Sequence, residues 1–140
     1  MRLEHITPEQ VDLAPRPLAP GVLYISHKYR VALHLCCCGC GEKVVTPLSE
    51  AEWQLQLRDG KASLHPSVGN GTACRSHYWI EQNRVVWVPP MTNQQIIRTR
   101  RNDRASLEAM YAARQHARRP RWAVRVVAVL ESVRDWLRGR

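Results

Sequence analysis

Five cysteines confined to two short segments are the feature that most constrains this chain of 140 residues. Four of them stand in the run His34-Leu35-Cys36-Cys37-Cys38-Gly39-Cys40-Gly41, and the fifth opens Cys74-Arg75-Ser76-His77. Thiolate and imidazole groups are the ligands that zinc prefers in tetrahedral sites. Because 33 residues lie between Cys40 and Cys74, one ion would hold two distant segments together. The pattern therefore predicts a metal site.

Two other uses of these cysteines compete with metal binding. Free cysteines often lie in a core as small apolar side chains, and the apolar run 31–35 leads directly into the cluster. Disulfide or redox use is the second alternative, but the number of cysteines is odd and no signal peptide is visible. We therefore expect a cytoplasmic chain, where thiols stay reduced and clustered cysteines more often bind metal. No run of apolar residues is long enough to predict a transmembrane helix.

The ligand set has two alternatives, four thiolates or three thiolates and one imidazole. The predicted thiolate ligands are Cys36, Cys38, Cys40 and Cys74. Alternate residues of an extended chain point to one side, which would turn Cys37 away from the others. In the second alternative His77 replaces one thiolate. A site closed by four protein ligands is structural, and we expect zinc in that role; a hydrolytic zinc would keep a position for water, with Glu42 as the nearest general base.

Short apolar runs separated by turn residues predict the architecture. Residues 1–20 hold four of the nine prolines and are expected to form an extended arm. Residues 21–90 contain six or seven short runs of strand type, including a pair joined by the hairpin turn Asp59-Gly60. The fold class is therefore β-rich (α+β): a small antiparallel β domain with a zinc knot, followed by a C-terminal α-helical basic tail over residues 91–140.

The tail carries most of the positive charge. Residues 1–90 contain nine Lys and Arg against eight Asp and Glu, whereas residues 91–140 contain twelve against four. We expect one helix over residues 103–114, capped by Asn102 or Asp103, and a second over residues 121–138. The arginines of the tail suit phosphates of nucleic acid or acidic lipid headgroups, although no recognisable nucleic-acid-binding motif is present. The alternative is a solvated basic helix pair that aids solubility or docks an acidic partner.

Serine and histidine residues near the cysteines are candidates for catalysis. Ser67 and Ser76 are the candidate nucleophiles, with His77 or His34 as the base. Adjacent strand residues face opposite sides, so Ser76 and His77 cannot easily pair, and Ser67 is better placed for His77. Backbone N–H groups of the glycine-rich loop at residues 69–71 would form an oxyanion hole. In the structural alternative, the two serines only accept backbone hydrogen bonds at turns.

Three tryptophans on predicted strands have two interpretations. Trp53, Trp79 and Trp87 either pack in the core or line a groove for an extended peptide. The sequence does not separate these alternatives.

Four ordered motifs over about residues 20–88 carry a family resemblance. They are Pro20-Gly21-Val22-Leu23-Tyr24-Ile25-Ser26, the cysteine run with Val45-Thr46-Pro47-Leu48, Pro66-Ser67-Val68-Gly69-Asn70, and Cys74-Arg75-Ser76-His77-Tyr78-Trp79-Ile80. The chain resembles a small bacterial metal-binding family, formerly of unknown function, whose members are encoded beside ubiquitin-like proteins and homologues of ubiquitin-activating and ubiquitin-conjugating enzymes. The family usually has another residue, often proline, where Cys37 stands, which makes Cys37 the least suited ligand.

The resemblance implies a zinc-binding peptidase that acts on a ubiquitin-like protein or its conjugates, with a serine nucleophile as one option. The implied partners are the ubiquitin-like protein and its conjugation enzymes. The alternative function is a non-catalytic, zinc-stabilised adaptor that binds a ubiquitin-like protein or nucleic acid.

Overall fold

The computed structural model describes residues 1–68 and 73–118, which form eight strands and one helix. The strands are β1 (Thr7–Gln10), β2 (Val22–Ser26), β3 (Val31–Leu35), β4 (Lys43–Pro47), β5 (Gln54–Arg58), β6 (Lys61–Val68), β7 (Tyr78–Glu81) and β8 (Arg84–Trp87), and the helix is α1 (Asn93–Arg118). Two four-stranded sheets have the orders β1-β2-β3-β4 and β5-β6-β7-β8. All neighbours are antiparallel except β1 and β2. The expected fold class, β-rich with a following helical segment, is confirmed.

Two tight turns set the register of the second sheet. Asp59 and Gly60 have φ angles of 49° and 71°, and Gln82 and Asn83 have φ angles of 48° and 70°. Positive φ at both central residues is the hairpin geometry whose twist matches that of the flanking strands. The predicted Asp-Gly hairpin is therefore present, and a second turn of the same geometry joins β7 to β8.

The proline-rich start of the chain, expected only as an extended arm, takes part in both sheets. Its β1 pairs in parallel with β2. Just before β1, the Ile6 amide donates to the Asn83 carbonyl and the Val85 amide donates to the Glu4 carbonyl, both at 2.8 Å. On the other flank, an isolated bridge joins Leu48 to Trp53. The two sheets are thus connected on both sides around one core.

The core is formed by the inward face of each sheet. Strand alternation is clear in β3 and β6, where every second residue is buried over the regular part of the strand. The fully buried large apolar side chains are Ile6, Leu23, Ile25, Leu64, Val68, Tyr78 and Ile80. Burial of each such side chain contributes about 1.5–3 kcal/mol, so these seven positions supply much of the stability of the β unit.

The helix begins ten residues before the predicted start. Thr92 Oγ1 accepts a hydrogen bond from the Gln95 amide at 3.3 Å, and the Gln95 side chain accepts one from the Thr92 amide at 2.8 Å. This reciprocal pair is a capping box. The prediction that Asn102 or Asp103 caps the helix is wrong, because both lie inside α1. The predicted second helix at residues 121–138 lies outside the described residues.

Within the described residues, no helix combines the length and the apolar character needed to span a bilayer.

The Asn83 side chain is expected to hold the second sheet together. Its Oδ1 accepts a hydrogen bond from the main-chain amide of Ala62 at 2.7 Å, while the main-chain amide of Asn83 donates to the Ala62 carbonyl at 2.9 Å. Asn83→Ala leaves a part-buried amide without its acceptor and should lower the free energy of unfolding by about 1–3 kcal/mol in urea denaturation. Gln82→Ala is the control, because Gln82 also has positive φ but is exposed. Equal losses in both variants would contradict the prediction.

Candidate functional site

Four cysteine sulfurs from two segments converge at one end of the β unit. The Sγ atoms of Cys36, Cys38, Cys40 and Cys74 all lie within 4.8 Å of one another. Cys36 Sγ is 3.4 Å from Cys38 Sγ and 3.7 Å from Cys74 Sγ. Four thiolates around a tetrahedral ion with metal–sulfur bonds of about 2.3 Å would be about 3.8 Å apart. The donor set therefore fits a metal ion with a preference for soft ligands.

A tight turn, rather than an extended chain, brings three of these sulfurs together. The Cys36 amide donates to the Glu42 carbonyl at 2.7 Å, and the Gly39 amide donates to the Cys36 carbonyl at 3.0 Å. Gly39 has a φ of 83°, and an added Cβ there would lie 3.1 Å from the Met1 carbonyl oxygen. Glycine is required at this position for both reasons. Cys37 points away from the other sulfurs as expected, but the cause is this turn and not the alternation of side chains along an extended chain.

Cys37 belongs to the core and not to the sulfur cluster. Its side chain is fully buried among apolar residues. Burial raises the pKa of the Cys37 thiol to about 12. The Cys37 thiol is therefore protonated near neutral pH, and its sulfur is not among the four that converge.

His34 is also removed from the candidate catalytic residues. It is fully buried, and its Nε2 lies 2.8 Å from the Tyr78 hydroxyl. Burial lowers the pKa of His34 to about 4, so its ring is neutral at pH 7. The same tyrosine hydroxyl lies 3.9 Å from Cys36 Sγ. His34 and Tyr78 therefore form a buried polar pair beside the cluster, and the structure does not bring His34 to either candidate serine.

The structure does bring Ser67 and His77 together. Ser67 is near the end of β6, His77 immediately precedes β7, and Ser67 Oγ lies 2.8 Å from His77 Nε2. The other ring nitrogen, Nδ1, lies 2.8 Å from the Pro89 carbonyl oxygen. A carbonyl oxygen only accepts hydrogen bonds, so Nδ1 carries the proton and Nε2 accepts the Ser67 hydroxyl. The pair has the hydrogen-bonding arrangement of a nucleophile and its general base.

Ser76 faces the sulfur cluster instead of His77. Its Oγ is 3.2 Å from Cys74 Sγ. Although burial acts to raise it, hydrogen bonding from Ser76 and from Cys40 holds the pKa of the Cys38 thiol below its usual value. The serine hydroxyl therefore supports negative charge on the Cys38 sulfur. Both ring nitrogens of His77 have other partners, and the cluster of possible ligands contains four thiolates.

Core packing accounts for two of the three tryptophans. Trp53 and Trp87 are partly buried and pack against the core. Trp79 lies on the outer face of the second sheet, where its ring centroid is 5.5 Å from that of His65. The glycine-rich loop expected to form an oxyanion hole lies in residues 69–72, outside the described residues.

Sequence reasoning did not identify Pro89 as a partner of His77. A main-chain carbonyl carries no side-chain signature, and the prolines at positions 89 and 90 indicated only the end of the β domain. The pairing of β7 with β8 extends to a hydrogen bond from the Val88 amide to the His77 carbonyl at 3.1 Å. This contact brings the chain around Pro89 alongside His77.

Comparison with protein families gives a match over the β domain. The family model described as bacterial ubiquitination-like system serine protease (BubE) matches residues 10–88, which is more than half of the chain. Comparisons with curated proteins and with solved structures gave no match.

Cysteine substitutions are expected to separate the cluster from its buried neighbour. Cys74→Ser should lose most of the bound metal, because one of four thiolates is replaced by a poorer ligand. Cys37→Ala should keep its metal and lose only core packing. Metal per chain is measured by mass spectrometry on purified protein, together with circular dichroism. Equal metal loss in folded Cys37→Ala, or full metal content in Cys74→Ser, would contradict this assignment.

Proposed function

This chain belongs to the bacterial ubiquitination-like system serine protease (BubE) family, and we propose that it hydrolyses the bond that follows a ubiquitin-like protein in a precursor or conjugate. Ser67 is the nucleophile and His77 the general base. The observation that carries this proposal is the pair of hydrogen bonds on the His77 ring, 2.8 Å to Ser67 and 2.8 Å to Pro89.

The proposed reaction is acyl transfer through the Ser67 hydroxyl. As Ser67 Oγ attacks the carbonyl carbon of the scissile bond, its proton passes to His77 Nε2. His77 then gives this proton to the leaving amine or hydroxyl group, which departs as the carbonyl re-forms. Water, activated by the same imidazole, hydrolyses the acyl-serine and restores the free hydroxyl.

The Pro89 carbonyl acts as the third member of the catalytic group. It fixes the tautomer with the proton on Nδ1, so that Nε2 is free to accept from serine. A carbonyl is a neutral dipole and stabilises the imidazolium less than a carboxylate does. The group therefore works as a serine–histidine pair whose orientation comes from the main chain.

We further propose that the four-thiolate cluster holds zinc in a structural role. Zinc is the common ion of closed sites with four thiolates, and four protein ligands leave no position for a reacting water. Bound there, the ion would supply cross-linking of the turn at residues 36–40 to Cys74 and no step of the hydrolysis. The benefit to catalysis is positional, because His77 follows Cys74 by three residues.

Membership of the family supports ubiquitin-like proteins and their conjugation enzymes as partners. No observation on the described residues favours nucleic-acid binding, and we do not propose it. The non-catalytic adaptor becomes the preferred function only if the chain does not cleave its partner.

Replacing the nucleophile should abolish cleavage. Ser67→Ala is expected to lower the rate of hydrolysis of a ubiquitin-like protein fused to a reporter by at least about 1,000-fold, because no other hydroxyl contacts His77 Nε2 in the described residues. Fluorophosphonate labelling, which reports an activated serine without needing the substrate, should disappear in the same variant. His77→Gln should have a similar effect on both measurements.

Ser76→Ala is the matched control for the nucleophile. It removes a hydroxyl nine residues away in sequence that contacts sulfur rather than imidazole, so labelling should persist. Undiminished cleavage by folded Ser67→Ala would contradict the assignment of the nucleophile. Absence of both cleavage and labelling in the wild type would favour the adaptor.

Exchange of the metal should leave the reaction almost unchanged. If the ion only cross-links the chain, the cadmium-substituted protein should keep its hydrolysis rate within about threefold, since cadmium is also held by four thiolates. Chelation should instead reduce activity together with folded structure. A large rate change on substitution, with the near-ultraviolet circular dichroism unchanged, would point to a metal in the reaction.

A further inference from the structure

A cavity lies against the histidine of the proposed catalytic pair. Its volume is about 430 Å³, and His77 and Trp87 are among its lining residues, whereas Ser67 is not. The cavity therefore adjoins the histidine of the pair and not the serine. In acyl transfer the leaving group receives its proton from this histidine, so the chain that follows the cleaved bond passes within reach of the cavity.

The charge of this cavity is positive. Arg2 and Arg75 line it, and its described lining contains no Asp or Glu. The Arg2 guanidinium carbon lies 4.7 Å from the centroid of the Trp87 ring. The Arg75 guanidinium donates to Asn93 Oδ1 and to the Met91 carbonyl oxygen. Both cations are thus held at the cavity by neutral partners, which leaves their charge available to an anionic ligand.

The remaining lining is partly apolar. Trp87, Val88 and Met91 provide an apolar surface beside the two guanidinium groups. A cavity with an apolar wall and guanidinium donors suits a peptide that has a carboxylate next to an apolar residue.

We infer that this cavity binds a carboxylate on the leaving-group side of the scissile bond, with Arg2 and Arg75 as specificity-determining residues. The inference rests on the proposed peptidase function and names the class of substrate that it selects. The carboxylate belongs either to an Asp or Glu side chain just after the cleaved bond or to a short leaving peptide with a free C-terminus.

The competing role for the two arginines is to balance the negative sulfur cluster, because Cys74 also lines the cavity. The contacts of the guanidinium groups argue against this role. Arg2 lies over an aromatic ring and Arg75 donates to oxygen atoms of residues 91 and 93. The metal content of variants that lack one of these arginines distinguishes the two roles.

The test measures peptide binding and does not depend on catalysis. Three tetrapeptides containing leucine are titrated into the metal-loaded Ser67→Ala chain by calorimetry: one with glutamates and an amidated C-terminus, one with glutamines and an amidated C-terminus, and one with glutamines and a free carboxylate. We expect at least one anionic peptide to bind about tenfold more tightly than the neutral amide, as charge-assisted hydrogen bonds require. The two anionic peptides identify the source of the carboxylate.

Variants then assign the preference to the cavity. Arg2→Gln and Arg75→Gln should each remove most of the preference for the anionic peptide, with metal content unchanged. Arg58→Gln is the control, because Arg58 is an exposed charge on β5 outside the cavity, and this variant should keep the preference. Equal binding of the three peptides, no binding, or the same loss in Arg58→Gln would overturn the inference. Loss of metal in Arg2→Gln or Arg75→Gln would assign the arginines to the sulfur cluster and overturn it as well. Fluorophosphonate labelling of the wild-type chain tests the proposed function separately.

Discussion

The position of the His77 ring depends on how the chain is held just before it, at Cys74. The sulfur of Cys74 lies among three sulfurs from the turn that follows β3, on the other sheet. After His77 the chain enters β7 at once, with Tyr78 fully buried. A residue fixed on both sides has little freedom to leave its hydrogen-bonding geometry. The convergence of the four sulfurs thereby helps to fix the position of a histidine that lies just before a strand.

The arrangement around the imidazole combines two kinds of support. Ser67 comes from a β6 segment where the pairing with β7 shifts register, between Leu64 and Val68. A bulge of this kind changes the direction of side chains near a strand end. Pro89, by contrast, is brought near by the simple continuation of the β7–β8 pairing. The two hydrogen-bonding partners of the His77 ring are therefore positioned by different features of the same sheet, a register shift for Ser67 and regular strand pairing for Pro89.

Much of this architecture was accessible from the sequence because its signals are local. Apolar alternation indicated the strands, and the Asp59-Gly60 pair indicated a hairpin. The strand at Thr7–Gln10 gave no such signal, because its residues are polar and its pairing partner lies beyond an intervening proline-rich segment. The predicted helix cap was wrong because the capping box is recognised only from Thr92 and Gln95 as a pair three residues apart, and not from either residue alone. At the site, residue types indicated Ser67 and His77, but a main-chain carbonyl such as that of Pro89 gives no signal in the sequence.

The pairing of residues 4–6 with β8 imposes an order on biosynthesis. Residues 4–6 are among the first to be synthesised, but their hydrogen-bonding partners beside and within β8 lie about eighty residues later in the chain. The two sheets therefore cannot be joined on this flank until β8 has been synthesised. Ser67 and His77 are both translated before that strand is complete. Both members of the proposed catalytic pair are therefore synthesised before the β unit that positions them can finish folding. For the proposed hydrolase, late closure of this kind places completion of the site after synthesis of its residues.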